Sequence, residues 1–171
     1  MSKRLNGRLA PLPVGIPAPD FSLPHTAHAH VALEGLRSNP VVLVFYPMDW
    51  EPVSREQLKL YQDFGGDFAT FGAQMLGVST DHIYSHEAFA RDAQISFPLL
   101  ADFQPRGEVA RHYGVFREAQ GVSARALFVI DSKRVIRFSK VYPDALNPGV
   151  DELLTALEAL AQEHESTDNN S

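Results

Sequence analysis

The chain has 171 residues, of which 44% are hydrophobic and 21% are charged, and its formal net charge is −6. These values are ordinary for a globular domain and exclude wholesale disorder, and no apolar run approaches the ~18 residues that a transmembrane helix requires. The acidic balance argues against nucleic acid as a partner, because phosphate binding requires a basic surface. We therefore expect one domain over residues 16–163, an N-terminal arm at 1–15 and a flexible polar tail at 164–171.

The first half of the chain predicts a short hairpin followed by a buried strand and a helix. Residues 20–23 and 30–33 are typical of short strands around a turn. Residues 41–45 form a β-branched and aromatic run without polar alternation, which predicts a central strand buried on both faces. A helix is predicted over about 52–64, with the glycine pair at 65–66 as its stop signal.

The second half predicts another buried strand, two helices, a hairpin and a final helix. Residues 74–79 are predicted as the strand, and residues 82–93 and 106–112 as the two helices. Residues 124–141 predict two antiparallel strands around an Asp-Ser-Lys-Arg turn, and residues 148–163 carry an apolar stripe with helical spacing. Together these elements predict an α/β three-layer sandwich with a mixed central sheet and helices on both faces.

The sequence lacks cysteines and a recognisable secretory signal, and these two features bear on its redox chemistry and its location. The chain contains no cysteine, so no disulfide, zinc-thiolate site or thiol chemistry is available to it as written. The basic N-terminus lacks the apolar segment of a secretory signal, and we expect a cytoplasmic location.

The junction between the first buried strand and its helix is the most informative stretch of the sequence. A buried strand leads through a proline-containing loop into a helix N-terminus, which presents free N–H groups and the positive end of the helix dipole. Such a junction can stabilise an anion, including a thiolate. The residue in the first helical turn is Ser54, and on local grounds alone its alternative role is that of an N-cap.

Residues 47–54, Pro-Met-Asp-Trp-Glu-Pro-Val-Ser, resemble the active-site loop of the peroxiredoxins, whose signature is Pro-x-x-x-Thr-x-x-Cys. Further segments resemble that family in the same order within residues 17–160: Ala-Pro-Asp-Phe-Ser-Leu at 18–23, Phe-Pro-Leu-Leu-Ala-Asp at 97–102, Ala-Arg-His-Tyr-Gly-Val at 110–115 and Arg-Ala-Leu-Phe-Val-Ile-Asp at 125–131. The resemblance implies a thioredoxin-like fold and a thiol-dependent peroxidase for hydrogen peroxide and organic hydroperoxides. It also implies no cofactor or metal, an external thiol or dithiol reductant of the thioredoxin kind, and a homodimer.

Two positions depart from the family pattern, because Ser54 stands where the peroxidatic cysteine is expected and Glu51 where the threonine is expected. A serine hydroxyl stays protonated and has no sulfenic oxidation state, so the chain as written is expected to be inactive as a peroxidase. We interpret it as an engineered Cys-to-Ser form that mimics the reduced state. The alternative is a naturally thiol-less thioredoxin-fold protein with a non-catalytic binding role. A serine hydrolase is disfavoured, since no Gly-x-Ser-x-Gly elbow surrounds Ser54.

The resemblance implies roles for four further residues. Arg125 is expected to hold the thiolate and a peroxide oxygen together, and Glu51 to pair with Arg125 or to accept a hydrogen bond from the peroxide. Pro47 is expected to shield the site, and Ser85 marks the position of a possible resolving cysteine. Each residue also has a simpler interpretation. Arg125 would be a surface arginine on a strand, and Glu51 an exposed glutamate that interacts favourably with the helix dipole. Pro47 would only end the strand, and Ser85 would be an ordinary serine at a helix start.

The histidines offer a second, weaker pattern. His25, His28 and His30 lie within six residues, and His82 and His86 are spaced i, i+4 on one predicted helix. This spacing permits metal binding, but the helix pair lacks the glutamate of a His-Glu-x-x-His motif. We therefore predict solvated histidines and no metal site.

Overall fold

The structure, a computed structural model, describes residues 8–171. Its strands in chain order are β1 Ser22–Thr26, β2 Ala29–Ala32, β3 Val41–Phe45, β4 Gln74–Ser79, β5 Leu99–Ala101, β6 Phe116–Arg117, β7 Val122–Ser123, β8 Arg125–Ile130 and β9 Ile136–Tyr142. Its α-helices are α1 Pro52–Asp63, α2 Gly65–Thr70, α3 Ile83–Ala93, α4 Glu108–His112 and α5 Asp151–Asp168, and a 3₁₀ turn follows β2 at Leu33–Leu36.

The central sheet has the strand order β5-β4-β3-β8-β9. Strand β3 pairs in parallel with β4 and antiparallel with β8, whereas β4 and β5 are parallel and β8 and β9 are antiparallel. The sheet is therefore mixed, as the sequence predicts. The carboxyl ends of β3, β4 and β5 meet at one edge, and the antiparallel β8 begins at that same edge.

Helices or loops cover both faces of this sheet. Alternate residues of β3 point to opposite faces, and all five are buried. On one face, side chains of α1, α2, α3 and α5 pack against Val42, Val44, Leu127 and Val129. On the other, α4 and the β1-β2 hairpin pack against Leu43, Phe45 and Phe128. The prediction of a three-layer α/β sandwich is confirmed.

Helical structure extends beyond the predicted ends at two places. Helix α1 ends at Asp63, before the glycine pair at 65–66 as the sequence predicts, but that pair begins a second helix, α2. Buried Phe68 anchors this turn in the core, and tertiary packing overrides the low helix propensity of glycine. The predicted polar tail is helical as far as Asp168, with the hydroxyls of Ser166 and Thr167 each donating to the carbonyl four residues earlier.

The N-terminal arm is partly fixed to the domain. The amides of Ala10 and Leu12 donate to the carbonyls of Gly114 and Tyr113, both at 3.1 Å. Gly114 has a φ of +75°, and a Cβ there would lie 1.8 Å from the Ala10 carbonyl oxygen, so this crossing requires glycine. The remainder of the predicted arm, residues 1–7, lies outside the described residues. Within residues 8–171 we find no helix that combines the length and apolar character needed to cross a bilayer.

Candidate active site

The loop between β3 and α1, residues 46–51, forms one wall of the predicted site. Pro47 is buried in it, and Pro52 occupies the first turn of α1, where its missing N–H costs no hydrogen bond. Trp50 adopts a φ of +70°, a left-handed conformation that is uncommon for a bulky residue. The loop is therefore held in a specific shape immediately before Glu51, while the shielding role of Pro47 stays a prediction.

The side chain of Glu51 caps helix α1. Its Oε1 accepts the backbone N–H of Val53 at 2.9 Å, and its Oε2 accepts that of Ser54 at 2.7 Å. The alternative that Ser54 is the N-cap is therefore wrong, since Pro52 is the first helical residue and the cap lies before it. A carboxylate at this position also interacts favourably with the helix dipole.

Arg125 reaches the same point from the sheet. It is the first residue of β8 and is fully buried. Its Nη1 donates to Ser54 Oγ at 3.2 Å and to Gln57 Oε1 at 2.8 Å, and its Nη2 donates to Glu51 Oε2 at 2.9 Å. Nε and Nη2 also donate to the backbone oxygen of Asp144. The alternative of a surface arginine is therefore wrong.

The structure thus brings together Glu51, Ser54 and Arg125, three of the five predicted site residues. The Ser54 hydroxyl donates to Glu51 Oε2 at 2.7 Å and accepts from Arg125. Sequence reasoning missed Gln57, which is fully buried and donates from Nε2 to the Tyr61 hydroxyl at 3.1 Å. Its signal in the sequence was its i, i+3 spacing from Ser54, which places both on one helix face.

The electrostatics of the group centre on Glu51. Burial raises the pKa of the Glu51 carboxyl, but hydrogen bonds from the Ser54 side chain, the amides of Val53 and Ser54 and the Arg125 guanidinium outweigh it, and the net pKa is lowered. Among the described residues, Glu51 supplies the only carboxylate within ion-pair distance of Arg125. The anion of this site is therefore the Glu51 carboxylate.

The free energy of unfolding of the Glu51→Gln variant is expected to fall less in acid than that of the unchanged chain. Because the folded pKa of Glu51 is lowered, its contribution to the free energy of unfolding is fully present above the unfolded pKa and is lost as the pH falls through the folded value. Urea unfolding between about pH 6 and pH 3 measures this loss. Exposed Glu56 lies on the same helix, and a Glu56→Gln control should follow the unchanged chain. Identical pH profiles for Glu51→Gln and the unchanged chain would contradict the assignment.

Ser85 is separated from this group. It lies in the first turn of α3, and its hydroxyl donates to Asp49 Oδ2 at 2.8 Å. No hydrogen bond among the described residues joins it to Ser54. Its role as the position of a resolving cysteine stays a prediction.

A second buried network fixes the loop to α3. Asp49 Oδ1 accepts from the Tyr46 hydroxyl at 2.7 Å, and Asp49 Oδ2 lies 2.8 Å from His86 Nδ1. The other ring nitrogen of His86 lies 3.1 Å from the Leu100 carbonyl oxygen. Both ring nitrogens thus face acceptors. Burial, together with the neighbouring Asp49, raises the pKa of Tyr46 well above its ordinary value.

The prediction of solvated histidines is wrong for His86, which is 2% exposed. The register of α3 turns its ring towards the site loop, and sequence spacing alone could not show that Asp49 would meet it there. His28, His30 and His82 are exposed, and His25 is half-buried.

Asp81 joins this network and brings together three side chains of the types that bind metal ions. Ligand atoms of Asp49, Asp81 and His86 lie within 4.8 Å of one another. Asp81 Oδ2 already accepts from the Asp49 amide at 2.8 Å and the Ser79 hydroxyl at 2.6 Å. Hydrogen bonds within the network therefore already use both carboxylate oxygens of Asp49 and Oδ2 of Asp81.

Comparison with known proteins agrees with the resemblance. The AhpC/TSA family model matches residues 14–139. Peroxiredoxin 2 from Thermoplasma acidophilum is 33% identical over 153 residues, which cover 86% of this chain and 75% of the relative. Alkyl hydroperoxide reductase E from Mycobacterium tuberculosis is 35% identical over 131 residues, which cover 76% of this chain and 86% of the relative.

The fold comparison gives the same result. The crystal structure of peroxidoxin BcpB from Mycobacterium tuberculosis has a TM-score of 0.77 and 31% sequence identity, and the match covers 85% of this chain and 96% of that structure. The predicted thioredoxin-like fold and the resemblance to peroxiredoxins are therefore confirmed.

Proposed function

The chain belongs to the AhpC/TSA family, and from that premise we propose that position 54 is its peroxidatic position, where peroxidase chemistry requires a thiol. Relatives that carry the name peroxiredoxin support a peroxidase of the oxidoreductase class. One observation carries the assignment to this position. Ser54 Oγ lies in the first turn of α1, 3.2 Å from a nitrogen of the fully buried Arg125.

The chemistry follows from what surrounds position 54. A thiolate there attacks one peroxide oxygen, the O–O bond breaks, and its electron pair goes to the leaving oxygen, which takes a proton and departs as water or an alcohol. The sulfur becomes a sulfenic acid, and a thiol or dithiol reductant of the thioredoxin kind returns it to the thiol through a disulfide. The α1 N-terminus and Arg125 stabilise the thiolate and the charge that develops on the leaving oxygen. With Ser54 in place, the chain does not catalyse this reaction.

The partner proposed for this chain is a second copy of itself. Four exposed apolar side chains lie at the edge of the sheet that carries the site: Met48, Trp50, Tyr84 and Phe103. They follow the carboxyl ends of β3, β4 and β5, which are neighbouring strands. Clustered exposed apolar side chains mark interaction surfaces in soluble proteins, and this supports a homodimer that forms beside the site.

A second candidate function is a non-catalytic binding role for a naturally thiol-less member of the family. It is favoured by the position of Glu51, whose carboxylate contacts both Ser54 and Arg125. If Ser54 were the only engineered change, the natural enzyme would have a cysteine at position 54 next to the Glu51 carboxylate. That carboxylate would oppose ionisation of the thiol.

Peroxide oxidation of Glu51→Thr/Ser54→Cys tests the proposed function. In alkaline buffer, where ordinary thiols are ionised, its thiol is expected to form a sulfenic acid at least about tenfold faster than the thiol of Ser96→Cys. The reason is that removal of the Glu51 carboxylate frees the α1 amides and Arg125 Nη2 to bind the leaving oxygen. Ser96 is exposed and lies on a loop, where, among residues 8–171, only the neutral Gln62 Nε2 donates to its hydroxyl, so it provides a thiol without the helix N-terminus and the arginine of position 54. The sulfenic acid is measured by mass spectrometry after trapping with a dimedone reagent. Equal rates at the two positions would overturn the assignment.

A further inference from the structure

We infer that a small cavity beside helix α3 binds a small aromatic alcohol, whose ring is held by apolar side chains and whose hydroxyl bonds to His25. The cavity has a volume of about 150 Å³ and lies between α3, the end of β1 and the segment 95–99 that enters β5. Neither Ser54 nor Arg125 lines it. The inference therefore goes beyond the proposed function and does not rest on it.

The first support is the size of the cavity and its apolar wall. Ile83 and Ala90 are spaced i, i+7 on α3, which places them on one face of the helix. Ile95, Phe97 and Leu99 line the cavity from the segment that enters β5. A cavity of about 150 Å³ lined by aliphatic and aromatic side chains can hold one benzene-sized ring. The apolar part of the ligand is therefore a single ring.

The second support is a histidine of the cavity wall that has a ring nitrogen without a partner. His25 lines the cavity, and its Nδ1 is buried and has no hydrogen-bond partner among residues 8–171. Buried polar atoms without partners are uncommon in native proteins, and they are destabilising. A hydroxyl both donates and accepts hydrogen bonds, so it satisfies Nδ1 in either tautomer of the ring. The polar part of the ligand is therefore a hydroxyl.

The third support is that the other buried polar groups of the wall already have partners. His86 Nδ1 lies 2.8 Å from Asp49 Oδ2, and its Nε2 lies 3.1 Å from a carbonyl oxygen of β5. The Ser96 hydroxyl contacts Gln62 through both atoms of the amide group. A buried water requires about two to four polar partners, and His25 supplies one. A ligand with a single polar group fits this cavity better than water does.

Phenol is the probe that combines one ring with one hydroxyl. Toluene has nearly the same shape but carries a methyl group where phenol has the hydroxyl. The affinity of phenol relative to that of toluene therefore measures the hydrogen bond to His25, whereas the affinity of toluene alone measures the fit of the ring.

Three substitutions separate the space in the cavity from its polar group. Ala90→Leu fills the space between α3 and the segment 95–99. His25→Leu removes the ring nitrogens and keeps an apolar side chain of moderate size in the wall. His28→Leu is the matched control, because His28 lies in the turn of the same hairpin and is exposed.

Nuclear magnetic resonance titration of the unchanged chain and the three variants tests the inference. The backbone amides of residues 95–99 report the affinity, and the ring nitrogens of His25 report the contact. Phenol is expected to bind the unchanged chain and His28→Leu with a dissociation constant of about 1 mM, which suits a ligand of its size, and to shift the His25 ring signals. Ala90→Leu should bind phenol and toluene at least about tenfold more weakly. In His25→Leu the affinity of phenol relative to toluene should fall about fivefold, the worth of one net hydrogen bond.

Two results would overturn the inference. One is the absence of a saturable phenol shift in the unchanged chain, which would mean that the cavity holds only water. The other is equal affinity for phenol in the unchanged chain and in Ala90→Leu, which would place binding elsewhere. If Ala90→Leu does not fold, Ala90→Val takes its place with a smaller expected loss. A preference for phenol over toluene that survives in His25→Leu would also overturn the assignment of His25.

Discussion

The Glu51→Thr/Ser54→Cys variant is expected to react with hydrogen peroxide about tenfold faster at neutral pH than Ser54→Cys. Removing the carboxylate beside the sulfur lowers the pKa of the thiol, and a fall of about two increases the thiolate fraction by up to about a hundredfold while both pKa values lie above the assay pH. The nucleophilicity of a thiolate falls with its pKa, with a Brønsted coefficient of about 0.4–0.5, which offsets roughly a tenfold part of that gain. The net acceleration is therefore about tenfold.

Single-turnover oxidation, followed by the loss of free thiol, measures this rate. The matched control is Glu56→Thr/Ser54→Cys, which changes an exposed glutamate of the same helix and should react like Ser54→Cys. A double variant that is no faster than Ser54→Cys would show that Glu51 does not restrain the thiol. The unchanged chain should consume no peroxide in a thiol-dependent manner.

Loss of the Asp49 carboxylate is expected to produce the largest change in stability. The side chains of Asp49 and His86 are 0% and 2% exposed, and Asp49 also accepts hydrogen bonds from Tyr46 and Ser85. Asp49→Ala leaves these donors without their acceptor in the interior. Removing one partner of a buried ion pair costs about 3–5 kcal/mol, and we expect a loss of that size.

Chemical unfolding of Asp49→Ala and Asp92→Ala separates this buried pair from a surface pair. Asp92 contacts Arg55, and its side chain is 54% exposed, so its removal should cost no more than about 1 kcal/mol. Equal losses in the two variants would contradict the importance of the Asp49 network. Trp50 is the only tryptophan of the chain and follows Asp49, so its fluorescence reports whether the loop moves.

Local sequence patterns predict most of the sheet and its long helices. The apolar run of β3 and the periodicity of α5 are properties of neighbouring residues. Strand β3 has the predicted bounds, and α5, predicted over 148–163, is observed over Asp151–Asp168. Helix α2 could not be predicted in this way, because its formation depends on Phe68 packing against distant side chains. The same holds for β6 and β7, which are two residues long and, within residues 8–171, pair only with each other.

In the site, too, some features are predicted by the sequence and others depend on tertiary contacts. Ser54 and Glu51 are near neighbours on one loop and helix, and the motif identifies them together with Arg125. That Glu51 caps the helix and binds Arg125 depends on the antiparallel placement of β8 beside β3. The burial of His86 depends on how α3 packs against the loop. Neither contact is encoded by spacing along the chain.

Titration of the thiol at position 54 tests most directly whether Glu51 and a thiolate compete for one site. Thiolate absorbance is followed against pH in Ser54→Cys, in Glu51→Thr/Ser54→Cys and in the exposed reference Ser96→Cys. We expect the pKa of the thiol in Ser54→Cys to lie at or above that of the reference, and the pKa in the double variant to lie below it. A thiol pKa in Ser54→Cys that is already well below the reference, and that does not move with Glu51→Thr, would contradict the account.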